Sequence, residues 1–270
     1  MRKFFLFVFF SIFSINFIHA QEYYFKHFQV EEGLSNNTVL TSLQDEDGFM
    51  WFGTKDGLNR FDGYRFKTYR SNLDPIHSLG SNYIQSLHEY KGTIWVGTDK
   101  GLYQYNKKTD QFTVLNEAIN DRINDINHDK YGNIWFVSGN ILYKYSTIKK
   151  ETKTFNPNKY FIATSISRDA NGEIWASSLN KVFRYSEESL SFEHIPVTPP
   201  AGSSNFRITT IYALDKNNIV IGTQDDGVLM YNIKNKTTIS LNFSGKNPVY
   251  VRQFKKKDNC ELWIASESGV

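Results

Sequence analysis

The six histidines, His19, His27, His77, His88, His128 and His194, are the side chains best suited to hold a metal or move a proton, yet none stand at close metal-ligand spacing. Asp45-Glu46-Asp47-Gly48 begins like a calcium loop. It lacks the further spaced oxygen ligands and the closing Glu, so a hairpin turn is the expectation. Gly-x-Ser-x-Gly is absent, and no pair of carboxylates stands apart from the repeated turns, so neither a nucleophile elbow nor a glycosidase pair can be assigned. Convergence of carboxylates across repeats stays open. Cys260 is the single cysteine, which rules out an intrachain disulfide framework. No His stands beside it, and free cysteines are mostly buried, so it is expected to be a core thiol. Lys255-Lys256-Lys257 is expected to be a solvated hairpin end rather than a polyanion patch. These residues assign no catalytic, cofactor-binding or metal-binding role.

What positions side chains in this chain is a repeat. Gly48-Phe49-Met50-Trp51-Phe52-Gly53-Thr54-Lys55-Asp56-Gly57-Leu58-Asn59-Arg60-Phe61 is restated from Trp95, and Trp135, Trp175 and Trp263 anchor further copies. Val220 sits where another Trp would fall. The anchors step by roughly 40 to 45 residues, the period of four-stranded propeller blades. A Trp at one strand position in copy after copy is expected to pack between adjacent blades, since burying it brings a large hydrophobic gain. The fold class is therefore all-β, a β-propeller of four-stranded blades, with about seven in the intact ring.

Repeats are placed at about 38–70, 83–115, 123–155, 162–195, 207–243 and, in part, 249–270. Asp62-Gly63 between apolar runs predicts a tight hairpin into Tyr64–Tyr69. Residues 23–30, an aromatic run with no Trp segment before them, are expected to form an orphan outer strand that completes the last blade. The chain is thus expected to be an incomplete ring, marginally stable as a separate piece.

Residues 1–20 have the form of a signal peptide: Met1-Arg2-Lys3, an apolar core from Phe4 to Phe17, and Ala20 before Gln21. Export to the periplasm is the expectation. Lys+Arg of 31 against Asp+Glu of 28 gives +3, and removal of Arg2 and Lys3 leaves +1. Such balance argues against nucleic acid as a partner. Recognition is expected in the long connections 71–82 and 196–205 and at four aromatics out of register with the repeat, Tyr83, Phe161, Phe206 and Tyr250.

The run Gly48–Gly63, with Glu32-Gly33-Leu34-Ser35-Asn36-Asn37 before it, resembles the two-component regulator propeller repeat. The likeness runs from about Tyr23 to Val270 and extends to the N-terminal periplasmic sensor propeller of Bacteroidetes-type hybrid two-component histidine kinases. Val220 departs from its Trp, and Val137-Ser138 and Ser177-Ser178 from its Gly-Thr. The resemblance implies an ectodomain of an inner-membrane receptor, without cofactor, that senses oligosaccharides and signals to a kinase elsewhere in its own chain, as a homodimer. It implies no enzyme in residues 21–270. A periplasmic propeller lyase or hydrolase acting on polysaccharide, or a purely structural interaction module, are the alternatives.

Overall fold

In a computed structural model, residues 26–72, 77–199, 202–203, 205–241, 250–256 and 261–267 are described, and they form strands and turns apart from one short 3-10 turn, Val30–Glu32. The signal-peptide segment, Lys257 and Cys260 lie outside them. The first blade is a meander of β1 (Val39–Gln44), β2 (Met50–Thr54), β3 (Gly57–Phe61) and β4 (Phe66–Tyr69). The second contains β5 (Ile84–Tyr90), β6 (Thr93–Thr98), β7 (Gly101–Asn106) and β8 (Gln111–Val114). The third contains β9 (Ile123–His128), β10 (Ile134–Ser138), β11 (Ile141–Tyr145) and β12 (Thr152–Phe155). The fourth contains β13 (Ala163–Arg168), β14 (Ile174–Ser178), β15 (Lys181–Ser186) and β16 (Ser191–Ile195). The fifth contains β17 (Ile208–Ala213), β18 (Asn218–Thr223), β19 (Val228–Asn232) and β20 (Thr237–Leu241). A sixth sheet has β21 (Val251–Lys256) and β22 (Leu262–Ser266). All neighbours within a sheet are antiparallel, and the first strands of successive sheets pack side by side. The molecule is a β-propeller, with those first strands innermost.

Blades meet through aromatics. The indole of Trp51 stands edge-on to Tyr105 of the next blade at 5.0 Å, Trp95 to Tyr145 at 5.9 Å, and Trp135 to Tyr185 at 4.7 Å. All three tryptophans are buried, as are Trp175 and Val220, while Trp263 is half-buried. Each Trp in the first, third and fourth blades is also latched by the Asp six residues before it. Asp45, Asp129 and Asp169 accept the indole N–H on Oδ2, at 2.8, 2.8 and 3.4 Å, and take backbone N–H groups of their own turn on Oδ1. The second blade turns through only Lys91-Gly92, both at positive φ, the geometry of a tight hairpin. Its indole N–H, on Trp95, has no hydrogen-bond partner among the described residues.

The residue two after Trp is where side chains of two innermost strands crowd the backbone. A Cβ on Gly53 would lie 2.7 Å from Ile84, and one on Gly97 2.2 Å from Ser86 Oγ and 2.9 Å from Ile123. In the third blade the sizes are exchanged: Val137 takes the glycine position and small Ala163 takes that of Ile84, both in one buried cluster. The departure from Gly-Thr is thus volume-compensated.

Two expectations change. Residues 26–30, the described part of the expected outer strand, pair with no strand among the described residues. A capping box between Gln29 and Glu32 and the left-handed Gly33 turn the chain out of extended geometry, and Phe28 packs on Phe61 and Phe66 of the first blade. Asp62-Gly63 belongs to a four-residue connection rather than a tight one, because Asp62 Oδ1 accepts both the Tyr64 and Arg65 N–H groups and delays pairing until Phe66.

Candidate ligand-binding site

Every innermost strand carries a β-bulge near its start. Pairing skips one residue between Val39 and Thr41, Ile84 and Ser86, Ile123 and Asp125, Ala163 and Ser165, Ile208 and Thr210, and Val251 and Gln253. A bulge leaves its extra residue out of the ladder and re-aims the side chain. The six skipped residues are Leu40, Gln85, Asn124, Thr164, Thr209 and Arg252, and all line one cavity of about 900 Å³ that every innermost strand borders. The copies thus hold one backbone geometry at this position while differing in side chain.

The connections that share this end of the strands supply the rim. Lys55, Leu179 and Gln224 come from turns between second and third strands; Tyr83, Arg207 and Tyr250 immediately precede first strands. Backbone bonds knit them: Gln224 donates to Arg207 at 2.9 Å, and Tyr250 to Gln224 at 2.9 Å across the blade boundary. Tyr250 is held at φ +50, a costly backbone for an aromatic residue, with the Arg252 guanidinium 4.1 Å from its ring centre. Arg122 stands 5.4 Å from the Tyr83 ring.

Polar groups dominate the cavity wall. Asp125 is its single carboxylate among the described residues; it accepts from Ile166 N–H at 2.8 Å, Ser165 Oγ at 3.0 Å and Ile126 N–H at 2.9 Å. Burial pushes its carboxyl up to about 6 despite those donors. Gln85 Oε1 is buried with no hydrogen-bond partner in the described structure, an acceptor that a ligand hydroxyl would satisfy. Among the described residues no group of three His, Cys, Asp or Glu side chains is placed to hold a metal ion.

The opposite ends of the same strands hold a second polar group. Arg168 donates to His128 Nε2 at 2.7 Å, and His128 Nδ1 meets His88 Nε2 at 2.8 Å. With Nε2 accepting, neutral His128 carries its proton on Nδ1 and donates to His88. Burial, then the charges around it including Arg168 and Lys255, pushes His88 down to about 3; burial and Arg168 push His128 to about 4.

Of the four aromatics singled out by the sequence, Tyr83 and Tyr250 border the cavity. Phe161 does not: it is fully buried, edge-on to Phe183 at 5.6 Å in a blade core, and no ligand can reach it. Phe206 is partly buried against the cluster that contains Trp175. The bulged ring and the His88–His128–Arg168 line escaped sequence reading. Their signal was the period itself, since residues 40 apart occupy equivalent places in adjacent blades.

Residues 33–56 match the model of the two-component regulator propeller family. Over 74 residues the chain is 42% identical to histidine kinase P4 of Formosa agariphila, a stretch that is 27% of this chain and 5% of that protein. The extracellular domain of a hybrid two-component system from B. thetaiotaomicron shares 26% identity and a TM-score of 0.72, over 90% of this chain and 34% of that one. A second such domain from the same organism gives 20% and 0.69, over 85% of this chain and 31% of that one. Virginiamycin B lyase from Staphylococcus aureus, at 13% identity and a TM-score of 0.58 over 78% of this chain and 72% of that one, shares the fold alone. This chain therefore spans about a third of the extracellular domains it resembles.

Proposed function

We propose, from the match of residues 33–56 to the two-component regulator propeller model and the likeness to the extracellular domains above, that the chain is part of the extracytoplasmic sensor of a two-component system, binding an oligosaccharide at the axial cavity. The ring of bulged residues carries this reading. A rigid repeat that varies its side chains where six strands converge has the form of a recognition surface on a scaffold. Tyr83 and Tyr250 offer ring faces to a sugar, Gln85 and Asn124 offer amides, and the Gln85 acceptor favours a hydroxyl-rich ligand.

In this reading residues 1–20 direct export, the sensor faces the periplasm from the inner membrane, and the kinase lies elsewhere in the same, homodimeric receptor. Ligand would act through its differential affinity for two placements of the sensor domains, which is all that binding can contribute to a switch. Residues 21–270 would bind without turnover. Titration calorimetry of the intact ectodomain against oligosaccharides, with chromatographic analysis of the sugar afterwards, tests this. Binding with unchanged sugar is expected. Shortened or unsaturated products would make the protein a hydrolase or lyase, and no heat with any sugar would leave a structural module.

A further inference from the structure

We infer that the axial cavity selects an acidic oligosaccharide, one bearing carboxylate or sulfate groups, with Lys55 and Arg207 as the residues that meet its charge; this rests on the sugar reading above. The chain as a whole is nearly neutral, with 31 basic and 28 acidic residues, but the cavity is not. Three cations border it, Lys55, Arg207 and Arg252, against the lone carboxylate of Asp125 among the described residues. That carboxylate faces inward to its own partners, with both oxygens taken by Ile166, Ser165 and Ile126.

Some cations of the blade surfaces are matched across or within blades: Lys67 with Asp110, Arg70 with Asp56, Lys107 with Asp47 and Glu89, Lys144 with Glu187, Arg184 with Glu193. Arg252 is matched too, with Glu267, and lies over Tyr250. Lys55 and Arg207 are exposed and have no carboxylate partner among the described residues. They project from different blades, the first and the fifth, onto one cavity. A groove lined by one sign of charge, with low-dielectric walls, draws ligands of the other sign.

Carboxylate and sulfate offer the same acceptor chemistry to a lysine or a guanidinium, so the test has an arm for each. The intact ectodomain is titrated with tetragalacturonate, with a sulfated carrageenan tetrasaccharide, and with neutral galactotetraose of the same length. At least one acidic probe is expected to bind, with an affinity that falls as salt rises. The double variant Lys55→Gln/Arg207→Gln is expected to melt with the parent and to weaken that binding by about tenfold or more, the loss of one or two charged hydrogen bonds. Binding of the neutral probe as tight as that of the acidic ones, or an unchanged affinity in the double variant, overturns the acidic selection and leaves the sugar reading standing. No binding by any of the three probes sinks both.

Discussion

The two ends of the innermost hairpins obey different rules. At one end, Asp45, Asp129 and Asp169 repeat a single device, a carboxylate that closes its turn and latches the buried indole six residues on. At the other, six bulges repeat a backbone device and present Leu40, Gln85, Asn124, Thr164, Thr209 and Arg252, five residue types at one position. Uniform side chains on a common backbone mark what the fold requires. Varied side chains on a common backbone mark what the fold leaves free for recognition. One strand serves both ends, and the Trp–Tyr packing between blades holds them in register.

If that division is right, the packing layer is the place of greatest sensitivity. Trp135→Ala removes a buried indole that packs on Tyr185 and Phe155 and should cost about 3–5 kcal/mol in denaturant unfolding of the ectodomain. A loss below 1 kcal/mol would mean that the blades are held by something other than these aromatics. Gly97→Ala should follow, at about 1–3 kcal/mol, because its new Cβ meets Ser86 Oγ and Ile123 of the next blade. The third blade sharpens that comparison, since Val137→Gly opposite Ala163 should open a void rather than relieve a clash.

Asp129→Ala strips the latch and leaves the Trp135 indole N–H and turn amides without their carboxylate, at about 1–3 kcal/mol. Glu89→Ala in the second blade should cost less, because Trp95 already lacks a partner and Glu89 instead holds Lys107 and the Glu46 N–H. Equal losses at the two sites would remove the latch from the account.

The histidine line predicts an acid response of smaller size, screened where His128 is half-exposed. His88 and His128 titrate in the folded chain near 3 and 4, below the ordinary 6.5. The unfolded chain therefore binds more protons through that interval. Their contribution is complete above pH 6.5 and declines as pH falls from there toward about 4. Asp125, raised to about 6, works in the opposite direction between 6 and 3.8. A urea-unfolding series across this range should show a shallower acid loss for His88→Asn/His128→Asn than for the parent; parallel curves would remove the pair from the acid response. Least of all should stability respond at the bulges: Gln85→Ala should stay within about 0.5 kcal/mol of the parent while weakening ligand.

Most of the scaffold was legible in the sequence, for the reason that repetition averages out local ambiguity. A Trp that recurs at one offset from a turn acid marks a strand pair in copy after copy, and where Val220 stands in its place Asn218 donates to the turn acid Asp215. What single copies say alone was less reliable. Residues 26–29 have strand-like composition, but Gly33 and the Gln29–Glu32 capping box bend the chain before pairing can begin. Phe161 looked like an outlier of the repeat, and it is core, because its side chain fills a blade interior against Phe183. The candidate site was half legible: Tyr83 and Tyr250 stood out by type, whereas a bulge has no composition of its own. Only the register of strand pairing shows it.

Hydrogen-exchange mass spectrometry of the intact ectodomain with and without a bound oligosaccharide tests the division of the strands most directly. Protection gained at residues 38–42, 83–87, 207–210 and 250–253, with the Asp–Trp latch turns unchanged, is the predicted pattern. Protection confined to the latch turns or to the outer strands, with the bulged ends unaltered, would contradict it.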